Sequence, residues 1–298
     1  MSDPDLIPLT DLEQPRENPM IWNGEEPAQG VFLDTGDALD LLGTPTLQIP
    51  PQPRLPIDFE PGPELRATLA DLRSALHGTA SGGEPGRCIE LGHLDALSLQ
   101  ALLEMLGEGE VCGTVSLDGV NYTLSESVLP GLWQGQGSDG SHWLEVAAVP
   151  QVVCRAASCL RSASVSLPDP LPESLPGVMN GLAVLAEINE HASAWHEGMQ
   201  NNRVLNFTLL PMSPEDQQLL LDVLGRADLV LESGGFGNCK VMATTVRHVW
   251  AVQYLNAMGK TILDTIEVGR IPDAAVAAPQ DLEDSASRLD EILDTYLS

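Results

Sequence analysis

Basic residues are scarce in this 298-residue chain: Lys and Arg number 14 against 43 Asp and Glu, a formal net charge of −29. A field of that sign repels phosphate backbones and anionic lipid surfaces. Nucleic-acid binding and peripheral membrane binding are therefore not expected, and a neutral or basic protein surface is the better-matched partner. Aromatic residues make up only 4% of the chain, so a core must rest on Leu, Val, Ile and Ala. The five cysteines (Cys88, Cys112, Cys154, Cys159, Cys239) are odd in number and scattered. That is no disulfide framework, and a reducing cytoplasm is the expected location. No apolar run approaches the ~18 residues of a membrane-spanning helix. The opening MSDPDLIPLTDLEQPRENP lacks the basic-then-apolar order of a secretory leader, so none is expected.

Catalytic patterns are missing as well. Gly259-Lys260-Thr261 resembles the end of a phosphate-binding loop, but that loop needs glycine at 254, where Tyr254 stands. A hairpin turn over Asn256 to Gly259 is the simpler reading. Gly234-Gly235-Phe236-Gly237 leads into a strand, so it lacks the helix N-terminus that holds a pyrophosphate. Neither G-x-S-x-G nor H-E-x-x-H occurs. Cys154 and Cys159 have no second pair to complete a zinc site and read as buried thiols. Glu187 and His191 share a helix face, as a solvated i,i+4 pair does. Cys239 is the most interesting thiol, but Lys240 should point to the other face of the strand and leave it unactivated. No catalytic residue, metal site or cofactor is expected.

What is present is globular and repeated. Apolar residues are 43% and charged residues 19% of a chain long enough for two domains of roughly 100–150 residues. Residues 1–57 read as an extended, acidic, Pro-rich arm. A second Pro-rich stretch, Ser166 to Gly177, reads as a linker and sets two units at 58–172 and 173–298. Three segments of one recur in the other. LLEMLG from Leu102 matches LLDVLG from Leu220, offset 118; Trp133 matches Trp250, offset 117; LEVAAVP ending at Pro150 matches IEVGRIP ending at Pro272, offset 122. Preserved order with a nearly constant offset indicates two diverged copies.

Each copy opens with an apolar helical period: Leu65, Leu69, Leu72 and Leu76, or Leu182, Leu185 and Ile188. A short extended segment and a second helix follow. In copy two that helix starts at a Ser213 cap with Pro214 in its first turn, and Gly107 and Gly225 stand where left-handed stops are expected. The period then changes from 3.6 to 2, with Asp118-Gly119 as a hairpin signal. The expected fold class is α+β: two tandem repeats, each α-β-α-β-β-β-β with its helices on one face of an antiparallel sheet. Trp133 and Trp250 read as core anchors. A final helix carries a stripe of Leu282, Leu289, Ile292, Leu293 and Tyr296.

The stretch GGFGNCKVMATTVRHVWAVQYLNAMGKTILDTIEVGRIP, followed by APQDLEDSASRLDEIL, resembles the carboxy-terminal region of the HupH/HyaF family of hydrogenase expression and formation proteins. The resemblance spans roughly residues 58 to 298 and is strongest from 205 onward. Copy one is looser, with LDGVNY in place of the G-N-C turn and no VQYLN. The resemblance implies a non-catalytic assembly factor in nickel–iron uptake hydrogenase maturation. It would bind a hydrogenase subunit precursor or another maturation protein, with self-association possible. Phe236 of the turn, together with Gly237, Asn238, Cys239, Trp250, Gln253, Asn256 and Glu267, which match the family's motif, are the candidate binding residues it implies. The alternatives are a thiol- or metal-dependent accessory enzyme or metal carrier using Cys239 or the Cys154/Cys159 pair, and a structural scaffold within a maturation complex.

Overall fold

The computed structural model describes residues 60–82, 86–160, 176–199, 201–207, 209–234 and 238–297, with side chains to 295. The arm at 1–57, most of the Pro-rich linker, Phe236, Gly237 and the side chain of Tyr296 lie outside the described residues.

α1 (Pro63–Ala80) forms where Leu65, Leu69, Leu72 and Leu76 recur on one buried stripe. α2 (Ala96–Leu106) begins at Asp95, whose carboxylate accepts the N–H groups of Leu97 and Ser98. α4 (Gly181–Ala194) buries Val184, Leu185 and Ile188. α5 (Pro214–Leu224) starts on a reciprocal capping box between Ser213 and Asp216. α2 and α5 end at Gly107 (φ 58, ψ −174) and Gly225 (φ 63, ψ −176). The positive φ is as expected, but ψ is extended rather than left-handed helical. That combination is nearly confined to glycine, and it turns the chain straight from helix toward strand.

The strands are β1 (Arg87–Glu90), β2 (Val111–Leu117), β3 (Val120–Glu126), β4 (Leu132–Gly137) and β5 (His142–Val146), then β6 (Arg203–Asn206), β7 (Leu229–Ser233), β8 (Asn238–Ala243), β9 (Val249–Leu255) and β10 (Thr261–Val268). The β2–β3 turn at Asp118-Gly119 has φ 53 and 81, the two positive values a tight hairpin needs. All ten strands join in one antiparallel sheet, ordered β1-β5-β4-β3-β2-β7-β8-β9-β10-β6. The order is a palindrome about the β2·β7 pair, which runs from Val111↔Ser233 to Val115↔Leu229. The architecture is thus α+β, but its strands form one continuous sheet rather than two.

Both helix pairs cover the same sheet face. α1 and α2 pack on Ile89, Leu132, Leu144 and Val146; α4 and α5 pack on Leu205, Met242, Ala251, Ile266 and Val268. The opposite face is buried too, contrary to the expectation of helices on one side only. α3 (Gln151–Ser158) and the 3₁₀ turn Asp273–Ala275 cover Val115, Leu124, Trp143, Leu229, Leu231, Val241, Trp250 and Val252 there. A ten-stranded sheet with apolar side chains on both sides of its centre needs cover on both sides. α6 (Pro279–Leu297) lies along α1 and inserts Leu282, Ala286, Leu289 and Leu293 into the core of the first half. Arg73 and His77 of α1 reach Asp290 of α6 at 2.7 and 3.0 Å. Among the described residues, no helix is long and apolar enough to cross a membrane.

Candidate functional site

The described candidates from the sequence divide among three places. Cys239, Trp250 and Glu267 share one sheet face, because Trp250 pairs with Glu267 and Cys239 pairs with Tyr254, four residues along the same strand. Gln253 points to the other face, between Lys240 and Asp264 in the register. It is buried, and its Nε2 has no hydrogen-bond partner among the described residues. Asn238 is exposed at the start of β8, opposite Leu255. Asn256 follows in the β9–β10 turn, where its Oδ1 accepts the N–H groups of Met258 and Lys260 at 2.9 Å each. Phe236 and Gly237 fall outside the described residues.

Around Cys239 the electrostatics disfavour a thiolate. The side chain is buried, and burial together with the Glu267 carboxylate pushes its pKa up to about 11, with the Tyr254 hydroxyl pulling weakly the other way. Glu267 is itself raised by burial; Asn202 opposes this by donating Nδ2–H to Oε2 at 3.0 Å, and Asp273 adds to the rise. Tyr254 is raised by burial, then by Cys239 and Glu267. Lys240 sits on the opposite face, as strand alternation requires, and pairs with Glu232 at 2.9 Å. Trp250 is 2% exposed and donates its indole N–H to the Gly269 carbonyl. Tyr254, Asn202 and Asp273 were not singled out from the sequence. Tyr254 had a usable signal, four residues from Trp250 on one strand face; Asn202 and Asp273 are brought in by tertiary structure alone.

Cys154 and Cys159 are exposed, not buried as expected. α3 turns Val152, Val153 and Ala156 to the sheet, which leaves Cys154 outward, and Cys159 caps the helix end. Glu187 and His191 form a half-exposed pair at 3.7 Å that Arg203 joins at 2.8 Å. Among the described residues, no three His, Cys, Asp or Glu side chains are placed to hold a metal ion.

The first half shows matching geometry. Trp133 pairs with Glu145 and donates its indole N–H to the Ala147 carbonyl at 3.0 Å. Ser127 and Thr244 open matching turns: each hydroxyl accepts the N–H two residues on, Leu129 or Val246; Ser127 donates to the Leu129 carbonyl, and Thr244 has the Val249 carbonyl at 2.9 Å and the Val246 carbonyl at 3.1 Å within reach. Pro150 and Pro272 precede α3 and the 3₁₀ turn with φ −56 in both cases.

Comparison with known proteins adds the following. Residues 178–296 match the family model described as HupH hydrogenase expression protein, C-terminal conserved region. The hydrogenase expression/formation protein HupH of Rhizobium leguminosarum bv. viciae is 37% identical over 234 residues, 76% of this chain and 80% of that protein. The hydrogenase expression/formation protein HoxQ of Cupriavidus necator is 37% identical, covering 78% of this chain and 84% of its own length. The hydrogenase-1 operon protein HyaF of Escherichia coli K12 is 29% identical, covering 77% and 80%. A solved structure, the hydrogenase expression protein HupH from Thiobacillus denitrificans, is 26% identical over 39% of this chain and 94% of that one, with a TM-score of 0.34.

Proposed function

Because the chain belongs to the HupH/HoxQ/HyaF family of hydrogenase expression/formation proteins, we propose that it is a cytoplasmic assembly factor that binds a hydrogenase subunit precursor or another maturation protein and catalyses no reaction itself. The observation that carries this is 37% identity over 76% of the chain to a protein named for hydrogenase expression and formation rather than for an enzymatic reaction. The buried, protonated Cys239 favours the same reading over a thiol enzyme. The net charge of −29 favours a basic or neutral partner surface.

The contact belongs at the end of the second half of the sheet. Asn238 is exposed there, and the neighbouring β9–β10 hairpin carries Met258 at 91% and Ile262 at 60% exposure. Apolar side chains held in solvent beside polar turn residues suit a protein contact. In this reading Phe236, Gly237, Asn238 and Asn256 meet the partner. Cys239, Trp250, Gln253 and Glu267 hold the strands behind them.

The reading includes descent of the two halves from one duplicated unit. The palindromic strand order supports it, as do the paired turns at Ser127 and Thr244 and the Trp-to-carbonyl bonds in both halves.

The test is affinity purification of the tagged full chain from hydrogenase-expressing cells, followed by binary capture with the purified candidate. A hydrogenase subunit or maturation protein should co-purify, and capture should weaken with salt without vanishing. Met258→Ser with Asn238→Ala should reduce capture at unchanged melting temperature. Failure of any hydrogenase-related protein to co-purify, even at low salt, would overturn the proposal.

A further inference from the structure

Where the C-terminal segment crosses the first half of the sheet, it roofs a cavity of about 710 Å³. Its lining includes Glu126 at the end of β3 and Trp133 at the start of β4. Glu108 and Glu110, in the α2–β2 loop, form an exposed rim, and α6 contributes Asp281 and Arg288. The size falls within the roughly 300–1,000 Å³ of sites that take small ligands.

Glu126 is the unusual member. It is 6% exposed, on an inward strand position two residues after Leu124. Counting back from the paired hydroxyls Ser127 and Thr244, the matching position in β8 is Ala243, so the strand architecture does not itself require a carboxylate. Glu126 Oε1 accepts the Gly131 N–H at 2.7 Å. No hydrogen bond to Oε2 is found among the described residues, and the Glu126 side chain lines the cavity. No ion pair within 4 Å joins Arg288 to it among the described residues, and the Arg288 Nη1 donates instead to the Val128 carbonyl at 3.1 Å. Burial holds the Glu126 pKa up to about 7; the Gly131 N–H opposes this, while Asp281 and Glu110 reinforce it.

A buried carboxylate lining a cavity with a surplus of carboxylates calls for a cation. The carboxylates do not converge on a metal-sized point, since no group of three is placed to hold one among the described residues. A larger, planar cation with several donors can reach separated carboxylates, and a guanidinium has five N–H donors in a fixed fork. We propose that this cavity receives an arginine side chain presented by a protein partner, with Glu126 at its base and Asp281 and Glu110 at its sides. The inference rests on the partner-binding function proposed above and names the chemistry of one contact.

The probe is an N-acetylated, amidated tetra-arginine peptide titrated into the full chain by calorimetry near physiological salt. The tetra-citrulline peptide serves as its uncharged counterpart. The arginine peptide should bind and the citrulline peptide should not. Glu126→Gln keeps an acceptor for Gly131 and should weaken binding at least about tenfold; Glu110→Gln on the rim should weaken it about threefold without touching the fold. Glu283→Gln and Asp284→Asn, exposed on α6 outside the cavity, should change it less than about twofold. Unchanged binding by a folded Glu126→Gln/Asp281→Asn protein overturns the inference. Equal loss in the α6 control variants also overturns it, because the net charge alone would then be the attractor. A wild-type chain that binds the arginine peptide but captures no hydrogenase protein keeps the cavity assignment and overturns the function proposed above.

Discussion

The indole N–H of Trp133 donates to the carbonyl oxygen of Ala147 at 3.0 Å, tying the start of β4 to the residue just past β5. Trp250 makes the corresponding bond to Gly269 at 3.4 Å. Each ring is almost fully buried, so each fills the core while closing the edge of a hairpin.

Trp250→Ala should therefore destabilise the protein by about 3–5 kcal/mol through the cavity it leaves. Trp250→Phe should cost less, since most apolar contact remains and one hydrogen bond of about 0.5–1.5 kcal/mol is lost. Urea unfolding of the two variants measures both. A melting temperature unchanged in Trp250→Ala would place the ring outside the core.

Gly113 lies in the seam between the halves. A Cβ there would stand 2.5 Å from the Val230 carbonyl oxygen and 2.5 Å from a Leu231 methyl. The oxygen belongs to backbone and cannot swing away. Gly113→Val should thus loosen the β2·β7 pair selectively. Hydrogen exchange should show faster exchange at Val111–Val115 and Leu229–Ser233 than at the outer strands.

Cys239 should resist alkylation in the native state at neutral pH, because it is buried and its pKa is raised to about 11. Its rate should approach that of a free thiol only in denaturant. Mass spectrometry of iodoacetamide-treated protein reads this site by site. Rapid native labelling at Cys239 would revive the thiol-enzyme alternative.

The buried acids give stability an unusual slope with pH. Glu126 is raised from 4.5 to about 7 on folding, so the folded chain binds the proton more tightly than the unfolded one. Stability should then rise as pH falls from about 8 toward 5, by on the order of 3 kcal/mol at most from this group. Burial raises Glu145 and Glu267 also, in the same direction. Asp216 acts oppositely. Burial alone would raise it, but the N–H groups of Ser213, Gly181, Asn180 and Met179 hold it below its ordinary value. Its contribution is lost as pH falls below about 4. Urea midpoints should pass through a maximum near pH 5, and Glu126→Gln should flatten the limb above it.

Elements with local chemistry were legible in the sequence. The capping box at Ser213, the Asp118-Gly119 turn and the Leu65–Leu76 stripe each encode their structure within a few residues. The joining of the halves was not legible, because β2 and β7 have the same half-buried alternation as any strand and nothing local names their partner. The α6 stripe was visible, but an amphipathic stripe does not say which groove it fills. Of the candidate site, the placement of Cys239 and Lys240 on opposite faces followed from strand alternation. The buried Glu126 has a signal in the sequence, a charge at the inward period of β3.

The docking of α6 also orders events during synthesis. α1, α2 and the strands that the first core needs, β1 to β5, are synthesised before residue 150, yet that core is sealed by Leu282 to Leu293. Until those side chains are made, the nascent chain holds a folded-size unit with an open apolar groove. Such a unit is exposed to holding factors and to aggregation for most of the second half's translation. A ribosome-stalled chain ending near residue 270 should therefore bind hydrophobic dye and trigger-type chaperones, and release both once α6 is supplied.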